Sequence, residues 1–447
     1  MIWPMRSHDS PQTELVDATE VEYRQVRLER VVLAGLWTSG TQAEADEAMA
    51  ELAALADTAG SEVVGQLIQR RDSPDSATYV GSGKVDEIKA VVADTGADTV
   101  ICDGELSPAQ LRNLEDRLDV RVVDRTMLIL DIFAQHARSV EGKTQVELAQ
   151  LNYLKQRLRG WGDSLSRQVG GRAAGGVGIG GRGPGETKIE TDRRRINTRV
   201  AVLRRRLKGM AVTRELSRAT RRRDQVPSVA IVGYTNAGKS SLLNRLTDAG
   251  VLVQDALFAT LDPTTRRCRA ADGRVYTLTD TVGFVRHLPT DLVEAFKSTL
   301  EETVQADLLV HVVDGASADP LDQVAAVHAV LAQIGASDVP ELTVVNKIDS
   351  AALETLASLR HALPEALMVS ALTGDGVDGL LEAIEGRLPQ PGVLVDVVVP
   401  WARGDLIDRA HRTGDVMLAE PIAEGTHLKA RVHPGLAAEL SAASVMA

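Results

Sequence analysis

The feature that most constrains the fold is the segment GYTNAGKSSLL at residues 233–243, which directly follows the apolar run VAIV. It matches G-x-x-x-x-G-K-[ST] in the order strand, glycine loop, helix, the context that a phosphate-binding loop requires. In such a loop, backbone N–H groups and the positive end of the helix bind phosphates. Lys239 is expected to reach the β- and γ-phosphates, and the Ser240 hydroxyl to bind Mg²⁺. The segment therefore predicts a nucleoside-triphosphate site.

The nucleotide base is indicated by the motif N-K-I-D at residues 346–349, after the apolar run LTVV. A carboxylate that accepts two hydrogen bonds suits the N1–H and N2–H₂ groups of guanine, whereas adenine offers no such pair. Asp349 is therefore the predicted guanine reader. Ser370 and Ala371, after the next predicted strand, can offer a backbone N–H to guanine O6. We expect GTP as the substrate and GDP as the product.

The motif D-T-V-G, from Asp280 to Gly283, lies between the two at the end of a predicted strand. Asp280 would hold Mg²⁺ through water, and the Gly283 N–H would sense the γ-phosphate, so that hydrolysis moves the loop that follows. A first switch is expected in FATLDPTTR, residues 258–266, where a threonine hydroxyl completes the Mg²⁺ shell. Thr260 and Thr264 both qualify, and spacing does not decide between them.

The residue after this motif is Phe284. Ras-like GTPases commonly have a glutamine here that orients the attacking water, which a phenyl ring cannot do. The sequence therefore predicts slow intrinsic hydrolysis, with the water positioned by another group or by a partner. The alternative is that Phe284 packs and a nearby polar residue takes over this role.

A glycine-rich segment and a basic segment precede the phosphate-binding loop. Residues 160–185 contain 11 of the 37 glycines, and residues 182–224 contain 15 lysines and arginines against five acidic residues. The local charge is therefore +10 in a chain whose net charge is −12. Such asymmetry is typical of a surface that binds a polyanion, although a solvated helix face is the alternative.

The chain is too long for one core, and its strand and helix patterns predict several domains. Apolar residues that recur from Ile196 to Met210 in steps of three and four predict that the basic segment is one arm of a helical hairpin. The predicted fold class is α/β, with a Ras-like P-loop domain as its GTP-binding part. The predicted segments are a polar tail (1–24), an N-terminal α/β domain (25–135), a helical hairpin with a glycine-rich tip (136–224), the G domain (225–388) and a small C-terminal α+β domain (389–447).

Composition favours the cytoplasm. The two cysteines, Cys102 and Cys268, form no CxxC pair and suit a reducing compartment. We find neither a targeting signal nor an apolar run that approaches the roughly 18 residues of a membrane span. The nine histidines show no spacing typical of a metal site.

Taken together, several motifs resemble the HflX family of translational GTPases, from about residue 30 to residue 388. They are YVGSGKVDEI, GGRGPGETKIETDRRRI, GYTNAGKSSLLN, FATLDPTTR, DTVGFVRHLP, NKID and SALTG. The resemblance implies that FATLD and the phosphate-binding loop enclose the nucleotide, which favours Thr260 over Thr264 as the Mg²⁺ ligand. An apolar residue after D-x-x-G is usual in that family, so Phe284 fits it. The stretch YVGSGKV, at residues 79–85, is not a phosphate-binding loop, and we favour a tight turn before a helix.

The resemblance also implies a partner, the large ribosomal subunit, toward whose peptidyl-transferase centre the hairpin would reach. A glycine-rich tip can follow an RNA cavity closely, and arginines can pair with phosphates. The implied activity is a Mg²⁺-dependent GTPase, stimulated by the ribosome, that splits or rescues ribosomes under stress and binds as a monomer. The alternative is a GTP-dependent RNA- or protein-binding switch that the ribosome does not activate. The RNA-binding candidates are Arg172, Arg182, Lys188, Arg193, Arg194 and Arg195.

The catalytic candidates are Lys239 and Gly283, and the metal-ligand candidates are Ser240 and Thr260. The full set of nucleotide-binding candidates is Gly233, Tyr234, Thr235, Asn236, Ala237, Gly238, Lys239, Ser240, Ser241, Phe258, Ala259, Thr260, Leu261, Asp262, Asp280, Thr281, Val282, Gly283, Asn346, Lys347, Asp349, Ser370 and Ala371.

Overall fold

The computed structural model describes residues 30–170, 184–223, 226–247, 257–271, 274–286, 297–389 and 392–444. The first sheet is parallel, with strand order β2-β1-β3-β4. Its strands are β1 (Arg30–Trp37), β2 (Glu62–Arg70), β3 (Thr99–Cys102) and β4 (Arg121–Asp124). The alternating helices are α1 (Gln42–Thr58), α2 (Ser82–Thr95), α3 (Pro108–Leu118) and α4 (Arg125–His136).

Local sequence explains these elements. The run VVLA of β1 is buried, as expected of a strand covered on both faces of a parallel sheet. Ser107 and Gln110 form a capping box at the start of α3, which satisfies two backbone N–H groups that the helix itself cannot. The YVGSGKV stretch forms a turn that leads into α2, as the sequence predicts.

Two long helices follow, α5 (Val140–Gly170) and α6 (Pro184–Arg223), which pack against each other. Their contact is apolar and consists of Leu148, Leu151, Val200 and Leu203, with Ile196 and Leu207 at its margin. The predicted seam of the hairpin is therefore present. Arg172 and Arg182 lie outside the described residues, and so do the residues between the two helices.

The second sheet contains the phosphate-binding loop and has the order β10-β9-β8-β5-β7-β6, with β6 antiparallel to its neighbour. Its strands are β5 (Ser228–Gly233), β6 (Thr264–Arg269), β7 (Val275–Asp280), β8 (Leu308–Asp314), β9 (Glu341–Asn346) and β10 (Leu367–Met368). Its helices are α7 (Lys239–Thr247), α8 (Lys297–Val304), α9 (Pro320–Ile334), α10 (Leu353–Ala362) and α11 (Val377–Arg387).

The third sheet is antiparallel, with the order β11-β13-β12, and two helices pack against it. Its elements are β11 (Val393–Val399), α12 (Gly404–Thr413), β12 (Asp415–Ile422), β13 (Gly425–Val432) and α13 (Pro434–Ala443). The predicted fold class, α/β with a P-loop domain and a small α+β unit, is confirmed. In the described part of the chain, no helix combines the length and the apolar character needed to cross a bilayer.

The first and second sheets share one apolar core. It includes Leu52 of α1 and Phe133 of α4 from the first unit, and Phe258, Leu261 and Phe284 from the second. The rings of Phe133 and Phe258 meet edge to face, with 4.6 Å between their centroids. Because Phe258 begins the predicted first switch, this core holds a segment that is expected to contact the nucleotide.

We expect Phe133→Ala to loosen this shared core, because the loss of a buried phenyl ring costs about 3–5 kcal/mol. Hydrogen exchange of residues 257–262 should become faster. The matched control is Leu114→Ala, in the separate core on the other face of the first sheet. It should lower the melting temperature but leave exchange at 257–262 unchanged. Equal acceleration by both variants would contradict the role given to the shared core.

Candidate nucleotide-binding site

The phosphate-binding loop joins the carboxyl end of β5 to the amino end of α7. Gly233 has φ 149°, and a Cβ placed there would lie 2.2 Å from the Val312 carbonyl oxygen. Gly238 has φ 89°, also in a region that side chains disfavour. The two glycines of the motif thus permit the tight turn between β5 and α7.

Lys239, the first residue of α7, is buried inside this loop. Its Nζ donates to the carbonyl oxygens of Gly233, at 3.1 Å, and Tyr234, at 2.7 Å. Burial lowers the pKa of Lys239 to about 8, although the charge of Asp280 acts in the opposite direction. Its proton is therefore held less firmly than that of an exposed lysine.

One cleft collects much of the predicted site from three separate segments. The residues that line it are Thr235, Asn236, Gly238, Lys239, Ser240, Ser241, Phe258, Ala259, Thr260, Thr281 and Gly283. They come from the loop at 233–241, the first switch and the D-T-V-G motif. The structure thus brings together residues that lie up to about 50 positions apart in the sequence.

A cluster of oxygen atoms lies at the inner end of this cleft. The Ser240 hydroxyl donates to Asp280 Oδ2 at 2.6 Å and lies 2.9 Å from the Thr260 hydroxyl, which itself donates to Oδ2 at 3.1 Å. Asp280 Oδ1 is buried and has no hydrogen-bond partner among the described residues. Thr264, in contrast, is the first residue of β6.

Hard oxygen donors, one of them a buried carboxylate oxygen without a partner, are the ligand set that Mg²⁺ prefers. Burial raises the pKa of Asp280, against the charge of Lys239 and the hydrogen bonds from the two hydroxyls. A bound divalent cation would favour the ionised carboxylate. The residues present therefore fit Mg²⁺.

The predicted base-binding residues meet at the carboxyl ends of β9 and β10. Asn346 donates through Nδ2 to the Ala237 carbonyl oxygen at 2.9 Å and accepts at Oδ1 from the Ala371 N–H at 2.9 Å. The Ser370 hydroxyl donates to Asp349 Oδ1 at 2.6 Å. Lys347 has φ 61°, and its Nζ lies 2.8 Å from Asp314. Asn346 thereby connects the predicted base-binding residues to the phosphate-binding loop. The Ala371 N–H, one of the two that could reach guanine O6, donates to Asn346.

Phe284, the residue after the D-T-V-G motif, is bonded directly to the phosphate-binding loop. The Phe284 N–H donates to the Gly233 carbonyl oxygen at 3.1 Å, and the Thr235 N–H donates to the Phe284 carbonyl oxygen at 2.7 Å. A Cβ on Gly283 would lie 2.8 Å from Thr235 Cγ2 and 2.9 Å from both the Thr235 Cα and Lys239 Nζ, so a side chain there would collide with the phosphate-binding loop. The Phe284 side chain is 1% exposed in the shared core and packs away from solvent.

In addition to Phe258 and Ala237, which are buried in apolar cores, four predicted nucleotide-binding residues direct their side chains elsewhere. Leu261 and Val282 are buried in the shared core. Asp262 accepts the backbone N–H groups of Arg138, at 2.9 Å, and Ser139, at 2.7 Å, just before α5 begins.

The fourth residue is Tyr234, whose hydroxyl donates to Glu51 of α1 and accepts the Arg286 N–H at 2.7 Å. Burial and the charge of Glu51 raise the pKa of Tyr234, so its phenol remains a donor. Glu51 also pairs with Arg125, which donates to the Arg286 carbonyl oxygen at 3.2 Å.

The sequence interpretation missed this link between α1, α4 and the residues after D-T-V-G. Glu51 lies in an Ala/Glu-rich helix where nothing distinguishes it from its acidic neighbours. Arg286 lies 235 residues further along the chain. No local pattern could have shown that both contact Tyr234 and Arg125.

Family models match three consecutive parts of the chain. Their descriptions are GTP-binding GTPase N-terminal, residues 46–134; GTP-binding GTPase Middle Region, residues 136–221; and 50S ribosome-binding GTPase, residues 228–347. A solved structure of a GTP-binding protein from Sulfolobus solfataricus in complex with GDP is 26% identical; the match covers 80% of this chain and 98% of that one, with a TM-score of 0.41.

Curated relatives match over nearly the whole chain. A GTPase HflX of Lacrimispora saccharolytica is 45% identical over 430 residues, which is 96% of this chain and 98% of that protein. One of Caldanaerobacter subterraneus is 47% identical, over 90% of this chain and 91% of its own. GTPase HflX of Escherichia coli is 48% identical, over 78% and 80% respectively. With the phosphate-binding loop and the N-K-I-D motif in one site, the chain binds and hydrolyses GTP, and it belongs to the HflX family of GTPases.

Proposed function

We propose that this chain is a Mg²⁺-dependent GTPase that binds the large ribosomal subunit, is stimulated by it, and splits or rescues ribosomes under stress. The observation that carries the proposal is the arrangement of a basic hairpin and a GTP site around one shared core. The family model described as a 50S ribosome-binding GTPase, which matches residues 228–347, supports the partner. We also propose that the protein is a cytoplasmic monomer and that it contains the five segments predicted from the sequence.

Each group of residues in the cleft would have a separate role in GTP binding and hydrolysis. Backbone N–H groups of residues 233–240 hold the phosphates, and Lys239 moves from the loop carbonyls to the β- and γ-phosphates. Ser240 and Thr260 would bind Mg²⁺, with Asp280 acting through water. The ion, when bound, neutralises charge on the phosphates. The Gly283 N–H detects the γ-phosphate.

At the other end of the nucleotide, Asp349 would accept from guanine N1–H and N2–H₂. The hydroxyl of Ser370 fixes the orientation of that carboxylate. Asn346 would fix the position of the base-binding residues relative to the phosphate-binding loop, because it forms hydrogen bonds with Ala237 of that loop and with Ala371.

The basic hairpin supports RNA as the partner. Arg193, Arg194 and Arg195 are exposed on α6. Lys188 lies on the same helix, but its side chain is not among those that the structure describes. Further along, a surface hollow of about 360 Å³ between α5 and α6 is rich in cations. Its lining residues are Lys155, Asn197, Val200, Ala201, Arg204, Arg205 and Lys208. Such a basic, concave surface suits a phosphate backbone.

A second candidate function is a GTP-dependent binding switch with slow turnover. The observation in its favour is the burial of Phe284, which leaves the usual position of the water-orienting glutamine without a polar side chain. Stimulation of GTP turnover by purified large subunits distinguishes the two functions. In both, Lys239→Ala should abolish hydrolysis, and a Lys239→Ala protein with normal turnover would refute the site itself.

We expect Arg193→Gln/Arg194→Gln/Arg195→Gln to weaken binding to large ribosomal subunits and reduce the stimulation of GTP turnover. Log affinity falls with log salt, and each lost phosphate contact should make that slope less steep by about 0.7–0.9. Turnover of the free protein should stay unchanged, since these residues lie outside the cleft.

The charge-matched control is Arg403→Gln/Arg409→Gln/Arg412→Gln. These three arginines already pair with Asp405, Glu439 and Asp408 of the same chain. Replacing them should change the salt dependence of ribosome binding little. An α6 variant that binds with the original slope would contradict RNA contact by these arginines, and an absence of stimulation in the unaltered protein would favour the switch.

The low pKa of Lys239, about 8, predicts that GDP binding takes up a proton. At pH 8.5 most nucleotide-free molecules carry a neutral lysine, and the phosphates favour the charged form. Binding in Mg²⁺-free buffer should therefore take up roughly 0.5–0.8 proton, and affinity should fall as pH rises above about 8, by up to about tenfold per unit. Calorimetry in two buffers of different ionisation enthalpy measures this uptake.

Lys239→Arg provides the control, because a guanidinium stays charged over this range. Its GDP binding should take up no proton at pH 8.5. Equal uptake by both proteins would assign the proton to another group.

A further inference from the structure

Three side chains with metal-binding atoms converge on the second sheet, away from the cleft. His311 lies in the middle of β8, His328 on α9, and Glu341 at the start of β9. His311 Nδ1 is 2.8 Å from Glu341 Oε1, and His328 Nε2 is 3.2 Å from both oxygens of Glu341. One donor atom from each of the three residues lies within 4.8 Å of the others.

Two imidazoles and one carboxylate match a known type of zinc site, in which three protein ligands leave a fourth position for water. Zinc–nitrogen and zinc–oxygen bonds of about 2.0–2.2 Å place tetrahedral ligand atoms about 3.3–3.5 Å apart. The imidazole nitrogens lie 2.8 and 3.2 Å from Glu341, and the donor atoms of the two imidazoles lie within 4.8 Å of each other, so metal binding needs adjustments of the side chains. His328 can make them because its side chain is 51% exposed, on the side from which water would approach.

The residues around the three side chains hold the metal-binding atoms in place. The ring nitrogens of His311 and His328 that face Glu341 would give up their protons when a metal ion replaces these hydrogen bonds, because a metal ligand must be deprotonated at the binding atom. The Thr343 hydroxyl donates to Glu341 Oε1 at 3.3 Å, and burial fixes the ring of His311, which is 1% exposed. Such outer partners orient metal ligands.

We propose that His311, His328 and Glu341 bind one Zn²⁺ ion. Each imidazole would be neutral, with its remaining proton on the nitrogen that faces away from the metal. The site is separate from the proposed Mg²⁺ position, since Glu341 begins the strand that Asn346 ends, about 16 Å away at roughly 3.3 Å per residue. An ion here would join β8, α9 and β9, three successive elements of which the last leads into N-K-I-D.

The test is metal binding by the untagged full-length protein, with excess Mg²⁺ and GDP present so that the nucleotide site is filled. Zn²⁺ is titrated in competition with a chromophoric chelator, and Co²⁺ is used as a spectroscopic probe of tetrahedral coordination. We expect one equivalent of Zn²⁺, visible absorption of tetrahedral Co²⁺, and a higher melting temperature with Zn²⁺ than without it.

His328→Gln should weaken Zn²⁺ binding by more than about 100-fold, since even an outer-shell partner typically contributes 10–100-fold. It should also remove the Zn²⁺-dependent rise in melting temperature. His328 is the safest ligand to replace because it is partly exposed, and Glu341→Gln provides a second test. The matched control is His361→Gln, at an exposed histidine of α10, which should bind Zn²⁺ normally.

Absence of saturable Zn²⁺ binding would overturn the proposal and leave the three residues as an ion-paired cluster. Undiminished binding by both His328→Gln and Glu341→Gln would likewise overturn it, because the ion would then lie elsewhere.

Discussion

The edge-to-face contact between Phe133 and Phe258 joins the units that contain the first and second sheets. Phe258 is 2% exposed and has φ 57°, a conformation that a bulky residue adopts only when its surroundings hold it there. The shared core, with the Phe133 ring of α4 against Phe258, supplies those surroundings. Two residues later the chain presents the Thr260 hydroxyl to Ser240 and Asp280. The geometry of the proposed metal ligand thus depends on packing against the N-terminal α/β unit, and the second sheet alone does not provide it.

Polar contacts on both sides of this core extend the connection. On one side Asp262 accepts backbone N–H groups at the start of α5, where a negative charge also complements the helix dipole. On the other side Arg125 is buried with Glu51 and Asp103 and donates to the carbonyl oxygen of Arg286. A buried ion pair adds little net stability, but loss of one partner leaves an unpaired charge, so the arrangement is specific. The predicted first switch, the residues after D-T-V-G and the start of the hairpin are therefore connected through this core and the polar contacts beside it.

Sequence reasoning predicted the parts of the site that are local and missed those that are not. The strand, glycine loop and helix around Lys239 follow from consecutive residues, since dihedral preferences and helix polarity act over a few positions. Tyr234 was placed at the nucleotide for the same reason, yet its side chain reaches Glu51, 183 residues earlier. His311 and Glu341 are 30 residues apart and meet because their strands are neighbours in the sheet. Strand order is a property of the whole fold, which one sequence does not reveal.

Some arginines of α6 form ion pairs with acidic residues of other helices. Arg199 forms two hydrogen bonds with Glu147 of α5, and Arg214 lies 3.0 Å from Glu141 and 3.6 Å from Glu301 of α8. These arginines neutralise acids and fix the hairpin to itself and to the second sheet. Arg193, Arg194 and Arg195, closer to the start of the helix, are exposed. The arginines of α6 thus serve two purposes: some fix the hairpin through ion pairs, and others lie on the exposed basic surface that we propose meets a polyanion.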